Sequence, residues 1–502
     1  LMAKSTPKLV KPTLDKDLDK IAFVEEAAQH VSRTYAPLGI GLIFLILATL
    51  FSGLSVMHQP GALMVVAAAA IGAYMAMNIG ANDVTNNVGP AVGSRAMSMT
   101  TALIIAAIFE TAGAMIAGGD VVSTISKGIV DPAQVPNADI FSLAMMAALL
   151  SSALWVNLAT WLGAPVSTTH AVVGGVMGSG VVAAGVGAIN WNSMAGIAAS
   201  WVISPLLGGV IAALFLAFIK EFIIYRHDKI DAAKRWVPVL NALMVGSFSA
   251  YLAIKGLNKL VTISLAVALI IGLVAGGLAW LGSIPLIRRQ AIGLENRNQS
   301  LRKLFRLPLI MSAALLSFAH GANDVANAIG PLSAIVHSAQ AHEISSEVQI
   351  PLWVMVIGAA GISLGLLLFG PRLIRLVGEQ ITKLNPMRAF CVALSAAVTV
   401  IVASWLGLPV SSTHIAVGAV FGVGFFREWY TRNSKRRIEY MKMKADFWEI
   451  EDTRERNPDE MRRRYLVRRS HFMTIVAAWI ITVPASAGLA ALLYWIMFQL
   501  FL

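Results

Sequence analysis

GANDVTNNVGP runs from Gly80 to Pro90, and GANDVANAIGP from Gly321 to Pro331. The two stretches match at 8 of 11 positions and lie 241 residues apart. A second pair repeats the relation: GAPVSTTHAVVGGVMG (Gly163 to Gly178) and GLPVSSTHIAVGAVFG (Gly407 to Gly422) match at 10 of 16, 244 residues apart. The chain is therefore an internal duplication, and each half carries two polar, glycine- and proline-marked segments inside otherwise apolar sequence. Such segments are tolerated at membrane depth only where protein buries them or they line a cavity. Paired interruptions at matched positions of two repeats point to the binding site of a transporter.

Working outward, hydrophobic residues make up 57% of the 502 and charged residues 13%, about half the roughly 25% of a soluble domain. Apolar spans are expected near 36–57, 62–80, 98–119, 141–162, 171–188, 197–219, 237–255, 260–284, 307–320, 351–370, 389–406, 413–427 and 471–500. The expected fold is an all-α integral membrane protein of about 12–13 transmembrane helices, with broken or re-entrant helices meeting at the midplane. The lone cysteine, Cys391, excludes an intramolecular disulfide and argues against a thiolate metal site. A net charge of +12 could suggest nucleic acid, but the excess sits in loops between spans, where it sets membrane orientation.

The loops sort by charge. Residues 285–306 carry six Arg/Lys against one acid, 371–388 four against one, and 427–470 fourteen against nine. By contrast, 120–140 has three Asp and one Lys, and 337–350 two Glu and no Lys or Arg. The basic loops are placed in the cytoplasm and the acidic ones outside. Matched loops of the two halves then fall on opposite sides, which is the charge pattern of an inverted-topology repeat. The expected organisation is a cytoplasmic N-terminal tail without a signal peptide (1–35) and an extra first helix (36–61). Repeat 1 (62–219), a connecting hairpin (220–305) and the first part of repeat 2 (306–427) follow. A charged cytoplasmic insert (428–470) and the final helix (471–502) complete it.

Chemistry follows from residue type. In the GAND segment, glycine and the Gly89-Pro90 pair are expected to break the helix and free backbone carbonyls. Carbonyls beside Asn82, Asp83, Asn86 and Asn87 form a hard-oxygen set suited to sodium or a proton relay. An ionised Asp at the bilayer centre costs about 2.5–3.5 kcal/mol, so Asp83 and Asp324 recurring in identical settings need a reason beyond helix packing. In the second motif, Pro165 and Pro409 are expected to stop one helix. Ser167, Thr168 and Thr169, like Ser411, Ser412 and Thr413, then start the next. Two helix N-termini with adjacent hydroxyls suit a tetrahedral oxyanion. His170 and His414 read as structural hydrogen-bonders or as proton-coupling groups, and Glu110 as a packing carboxyl or part of a cation site.

Two buried carboxylates beside a bound oxyanion cannot stay unneutralised at low dielectric. About two or three cations, sodium ions or protons, must join the anion, so symport follows from the charge count. An intramembrane Ser/His/Asp hydrolase would need one asymmetric catalytic set, and an anion channel would not need paired carboxylates. No enzyme activity is expected. Among tetrahedral oxyanions, phosphate can donate a hydrogen bond to Asp83 or Asp324, whereas sulfate, the alternative cargo of the same architecture, cannot.

At these residues the chain resembles the inorganic phosphate transporter (PiT) family of bacterial phosphate carriers and animal sodium–phosphate cotransporters. Both copies of GANDVxN and PVS(T/S)TH are present, and the resemblance covers roughly 62–219 and 306–502. It implies an inverted-repeat helical carrier importing inorganic phosphate with Na+ or H+ by alternating access, without a tightly bound cofactor. By similarity, Asn82, Asp83, Asn86, Asn323, Asp324 and Asn327, with Glu110, would hold the coupling Na+. Asn82, Asp83, Asn323 and Asp324 would also help hold phosphate, which Ser167, Thr168, Thr169, Ser411, Ser412 and Thr413 would contact. Some members carry a second buried glutamate, and Ala393 stands where it would align. The expected partners are inorganic phosphate, Na+ or H+, membrane lipid and, in a homodimer, a second copy of the chain, with no nucleic acid. The expected location is the bacterial inner membrane with the N-terminus in the cytoplasm.

Overall fold

The computed structural model describes residues 12–164, 166–257, 261–341, 350–380, 384–434 and 469–501. Among these, regular structure is helical, apart from one isolated bridge between Val130 and Ile189. The helices are α1 (Pro12–Val56), α2 (Ala62–Gly93), α3 (Met99–Ala117), α4 (Gly119–Lys127), α5 (Ala138–Leu162), α6 (Thr168–Ala184) and α7 (Trp191–Ile219). They continue as α8 (Lys229–Lys255), α9 (Leu265–Gln290), α10 (Asn298–Leu304), α11 (Arg306–Ala341), α12 (Leu352–Gln380), α13 (Pro386–Trp405), α14 (Ser412–Asn433) and α15 (Arg469–Phe501). Eleven of the described helices are long and apolar enough to cross a membrane. The chain is an all-helical membrane protein. Of the charged insert at 428–470, residues 435–468 lie outside the described residues, as does Pro165. The first helix begins at Pro12 rather than at the first apolar span, because residues 13–36 contain neither glycine nor proline to interrupt it.

The helix starts are written in short polar side chains. Ser98, Asn137, Asn190 and Asn385 each accept from a backbone N–H three residues on, capping α3, α5, α7 and α13. Duplication is visible in the packing as an exchange of partners. Helix α2 packs on α12, and its repeat mate α11 packs on α3. Helix α6 packs on α15, and its mate α14 on α7. Helices α8 and α9 pack chiefly on each other.

One expectation is overturned here. The GAND segments do not break their helices: α2 runs unbroken from Ala62 to Gly93 and α11 from Arg306 to Ala341, with Pro90 and Pro331 inside them. The glycines serve close approach instead. A Cβ on Gly80 would stand 1.9 Å from the Ile362 carbonyl oxygen, and one on Gly321 would stand 2.1 Å from that of Glu110. Each contact is reciprocated, since a Cβ on Gly365 or Gly113 would meet the Met77 or Phe318 carbonyl oxygen at 2.0 Å. The prolines still act locally. Lacking an N–H, Pro90 and Pro331 deprive the carbonyls of Asn86 and Asn327 of their helical donor.

The second motif does form turns between paired helices. Gly163 and Gly407 end α5 and α13 with φ of 72° and 68°, the left-handed conformation glycine adopts without a Cβ penalty. Ala164 N donates to Ala159 O at 2.8 Å and Leu408 N to Ala403 O at 2.9 Å, closing the same C-terminal turn twice. Both apices meet the interior of α2 and α11 rather than their ends. At 17 residues, α6 is about 26 Å long, short for a full crossing, as a helix beginning at depth would be.

Candidate functional site

Ser167 and Ser411 set the register. Each side chain accepts from the backbone N–H of His170 or His414, at 3.1 and 3.3 Å, so these two serines are helix caps. The next hydroxyls are thereby turned onto the carboxylates. Thr168 Oγ1 donates to Asp83 Oδ2 and Ser412 Oγ to Asp324 Oδ2, both at 2.8 Å. These two bonds are repeat mates. The following pair diverges: Thr413 donates to Asp83 Oδ1 at 3.0 Å, while Thr169 donates to the Val410 carbonyl at 2.9 Å.

The asparagines brace the apices. Asn86 Nδ2 donates to Thr413 Oγ1 at 2.8 Å, and Asn327 Nδ2 to Thr169 Oγ1 at 3.1 Å. The Asn82 amide meets Thr160 Oγ1 at 2.8 Å, and Asn323 Nδ2 donates to Ser404 Oγ at 2.9 Å. The backbone N–H groups in the first turns of α6 and α14 lack intrahelical acceptors. Two positive helix ends therefore converge on the pair of carboxylates.

Between the carboxylates stands His320, which sequence reasoning missed. Its Nε2 lies 2.8 Å from Asp324 Oδ2 and 3.7 Å from Asp83 Oδ2, and its Nδ1 lies 3.3 Å from Glu110 Oε1. Asn87 Nδ2 holds that Glu110 oxygen at 2.7 Å. Asp83 and Asp324 are each 1% exposed, and His320 is fully buried. Ligand atoms of Asp83, His320 and Asp324 lie within 4.8 Å of one another. The signal for His320 was a mismatch one residue ahead of the motif, where the first copy has Ile79.

His170 and His414 occupy a different environment. Their rings meet edge to face at 4.4 Å, with Trp201 3.8 Å from His170 and Trp479 3.7 Å from His414. No carboxylate lies within ion-pair distance of either ring among the described residues. Ala393 is buried in apolar packing on α13. By the glycine contacts, the counterpart of Glu110 is Ile362 on α12.

The site is rich in unmet acceptors. Asn87 Oδ1, Glu110 Oε2, Asn323 Oδ1, Asp324 Oδ1 and Asn327 Oδ1 are all buried without a protein donor. Inside a membrane such oxygens are costly unless something positive or proton-bearing reaches them. The arrangement thus combines hard oxygen ligands for small cations with hydroxyls and helix N-termini for an anion.

A sequence profile described as the phosphate transporter family matches residues 79–490. The chain is 46% identical to a candidate phosphate permease of Helicobacter pylori strain J99, over 95% of this chain and 98% of that protein. It is 33% identical to one of Haemophilus influenzae, over 89% of this chain and 100% of the other. Among solved structures it resembles one described as the sodium-dependent phosphate transporter, with a TM-score of 0.75 and 32% identity. That match covers 88% of this chain and all of the other.

Proposed function

Since the chain belongs to the phosphate transporter family, a family of carriers rather than enzymes, we propose that it imports inorganic phosphate by cation symport through alternating access. Sodium is the preferred coupling ion, in keeping with the sodium dependence of the structural relative. The observation that carries the cation is that five acceptor oxygens, on Asn87, Glu110, Asn323, Asp324 and Asn327, are buried without donors. A dehydrated sodium ion is a partner such oxygens accept, and it offsets the charge that an arriving phosphate would add.

Phosphate is favoured over sulfate because Asp83 and Asp324 share their hydroxyl partners with the anion's expected seat. A protonated phosphate oxygen can donate to a carboxylate; sulfate cannot. The two hairpin apices, α5–α6 and α13–α14, would hold the anion between Thr168, Thr169, Ser412 and Thr413. The remaining assignments are an inverted repeat and a cytoplasmic N-terminus, which rest on the loop charges, and a bacterial inner-membrane location, in keeping with the bacterial relatives.

The test is labelled phosphate uptake into proteoliposomes under a sodium gradient, a proton gradient or neither, with excess unlabelled sulfate. Sodium-driven uptake that ignores sulfate is expected. Uptake without any gradient would indicate a channel, and full block by sulfate would sink the phosphate assignment.

A further inference from the structure

Asn87, Glu110 and His320 form one connected polar chain that ends on Asp324. The duplication supplies a counterpart for each member. The 241-residue offset pairs Asn87 with Ala328 and His320 with Ile79, and the glycine contacts pair Glu110 with Ile362. All three counterparts are apolar. The carboxylates are therefore present twice and the chain that reaches them only once. Among the described residues, His320 alone stands against Asp83, Asp324 and Glu110 together.

We infer that His320 is a positioning residue for the return of the unloaded carrier, its Nε2 standing between Asp83 and Asp324 and its Nδ1 against Glu110 once the coupling cations have left. The inference rests on the symport reading above. Net uptake requires the carrier to cross back without cargo, and its three carboxyl groups must make that crossing inside the membrane. A cation between Asp83 and Asp324 would serve that need during the loaded step and compete with His320 for the same oxygens. On the way back only resident donors remain. Thr168 and Thr413 serve Asp83, and Ser412 serves Asp324, but each spans a single carboxylate. The imidazole Nε2 faces one carboxylate from each half, 2.8 Å from Asp324 and 3.7 Å from Asp83, and its attraction to both would keep the two halves in register without cargo.

Two flux measurements on the purified full chain in liposomes separate this role from simple binding. Net uptake of labelled phosphate into phosphate-free liposomes under a sodium gradient includes the unloaded return. Exchange of labelled for unlabelled phosphate at equal sodium on both sides does not. In His320→Gln, net uptake should fall by about a hundredfold or more, the scale expected when buried charges lose a partner, while exchange falls far less. His320→Asn is measured beside it, and protection by phosphate against thermal unfolding identifies folded protein. Equal losses in both fluxes, or no loss in either, overturn the inference. Loss of phosphate-protected folding in both variants also overturns it, marking His320 as structural. No phosphate flux in the unsubstituted protein would instead sink the symport reading, and this inference with it.

Discussion

Thr413 Oγ1 donates to Asp83 Oδ1 at 3.0 Å across 330 residues of sequence, whereas its repeat mate Thr169 spends its hydrogen on the Val410 backbone. Hydrogen bonds to charged groups contribute about 1.5–3 kcal/mol and neutral ones about 0.5–1.5. Thr413→Ala should therefore lower phosphate uptake by roughly an order of magnitude more than Thr169→Ala. Thr413→Ser should restore most of the loss. Initial uptake rates of the three variants at equal surface expression decide it.

Asp83 takes two hydroxyl hydrogens, and Asp324 takes one together with the His320 ring. Replacing either by Asn keeps the shape but removes the charge that a cation would answer. Asp83→Asn and Asp324→Asn should each cut sodium-driven uptake about ten- to a hundredfold, the scale of one charged hydrogen bond. Sodium titration of uptake should show a raised half-saturation in whichever variant retains flux. Unchanged sodium dependence in both would remove these carboxylates from the coupling site.

The histidines of the two PVS(T/S)TH copies face each other and two tryptophans rather than an acid. Aromatic pairs of this kind contribute about 0.5–1.5 kcal/mol beyond buried area. His170→Ala and His414→Ala should lower the thermal midpoint in detergent by a few degrees and leave the pH profile of the remaining uptake in place. A displaced pH profile in either variant would return these rings to proton coupling.

Gly80→Ala and Gly321→Ala would drive a methyl group to 1.9 and 2.1 Å from a backbone oxygen. Overpacking at such a seam costs about 1–3 kcal/mol or more, so both variants should express poorly or unfold early. Gly196→Ala, whose added Cβ meets nothing within 4 Å, is the control and should be neutral or mildly stabilising in its helix. Fluorescence-detected size exclusion after a heat step compares the three.

The duplication, the buried acids and the serine caps were legible because each is local: a repeated string, an Asp in apolar sequence, a Ser three residues before the N–H it accepts. Which hydroxyl meets which carboxylate was not legible, because Thr413 and Asp83 are joined by the exchange of partners between halves and not by any spacing. His320 escaped because attention to matched positions passes over unmatched ones; its column pairs it with Ile79. The GAND glycines look like helix breakers for a related reason. Glycine is the same letter in sequence whether it loosens its own helix or admits a neighbour's backbone, and only the reach from Gly80 to Ile362 and from Gly321 to Glu110 separates the two.

Those glycine seams also decide what can move. Helix α2 is locked to α12 and α11 to α3 at backbone-to-backbone distance, and packed interfaces of that kind shift as units rather than deform. Each locked pair takes one helix from either side of the gene duplication. Any opening and closing must therefore swing composite bodies drawn from both ancestral halves, so the evolutionary boundary within the chain and its mechanical boundary do not coincide.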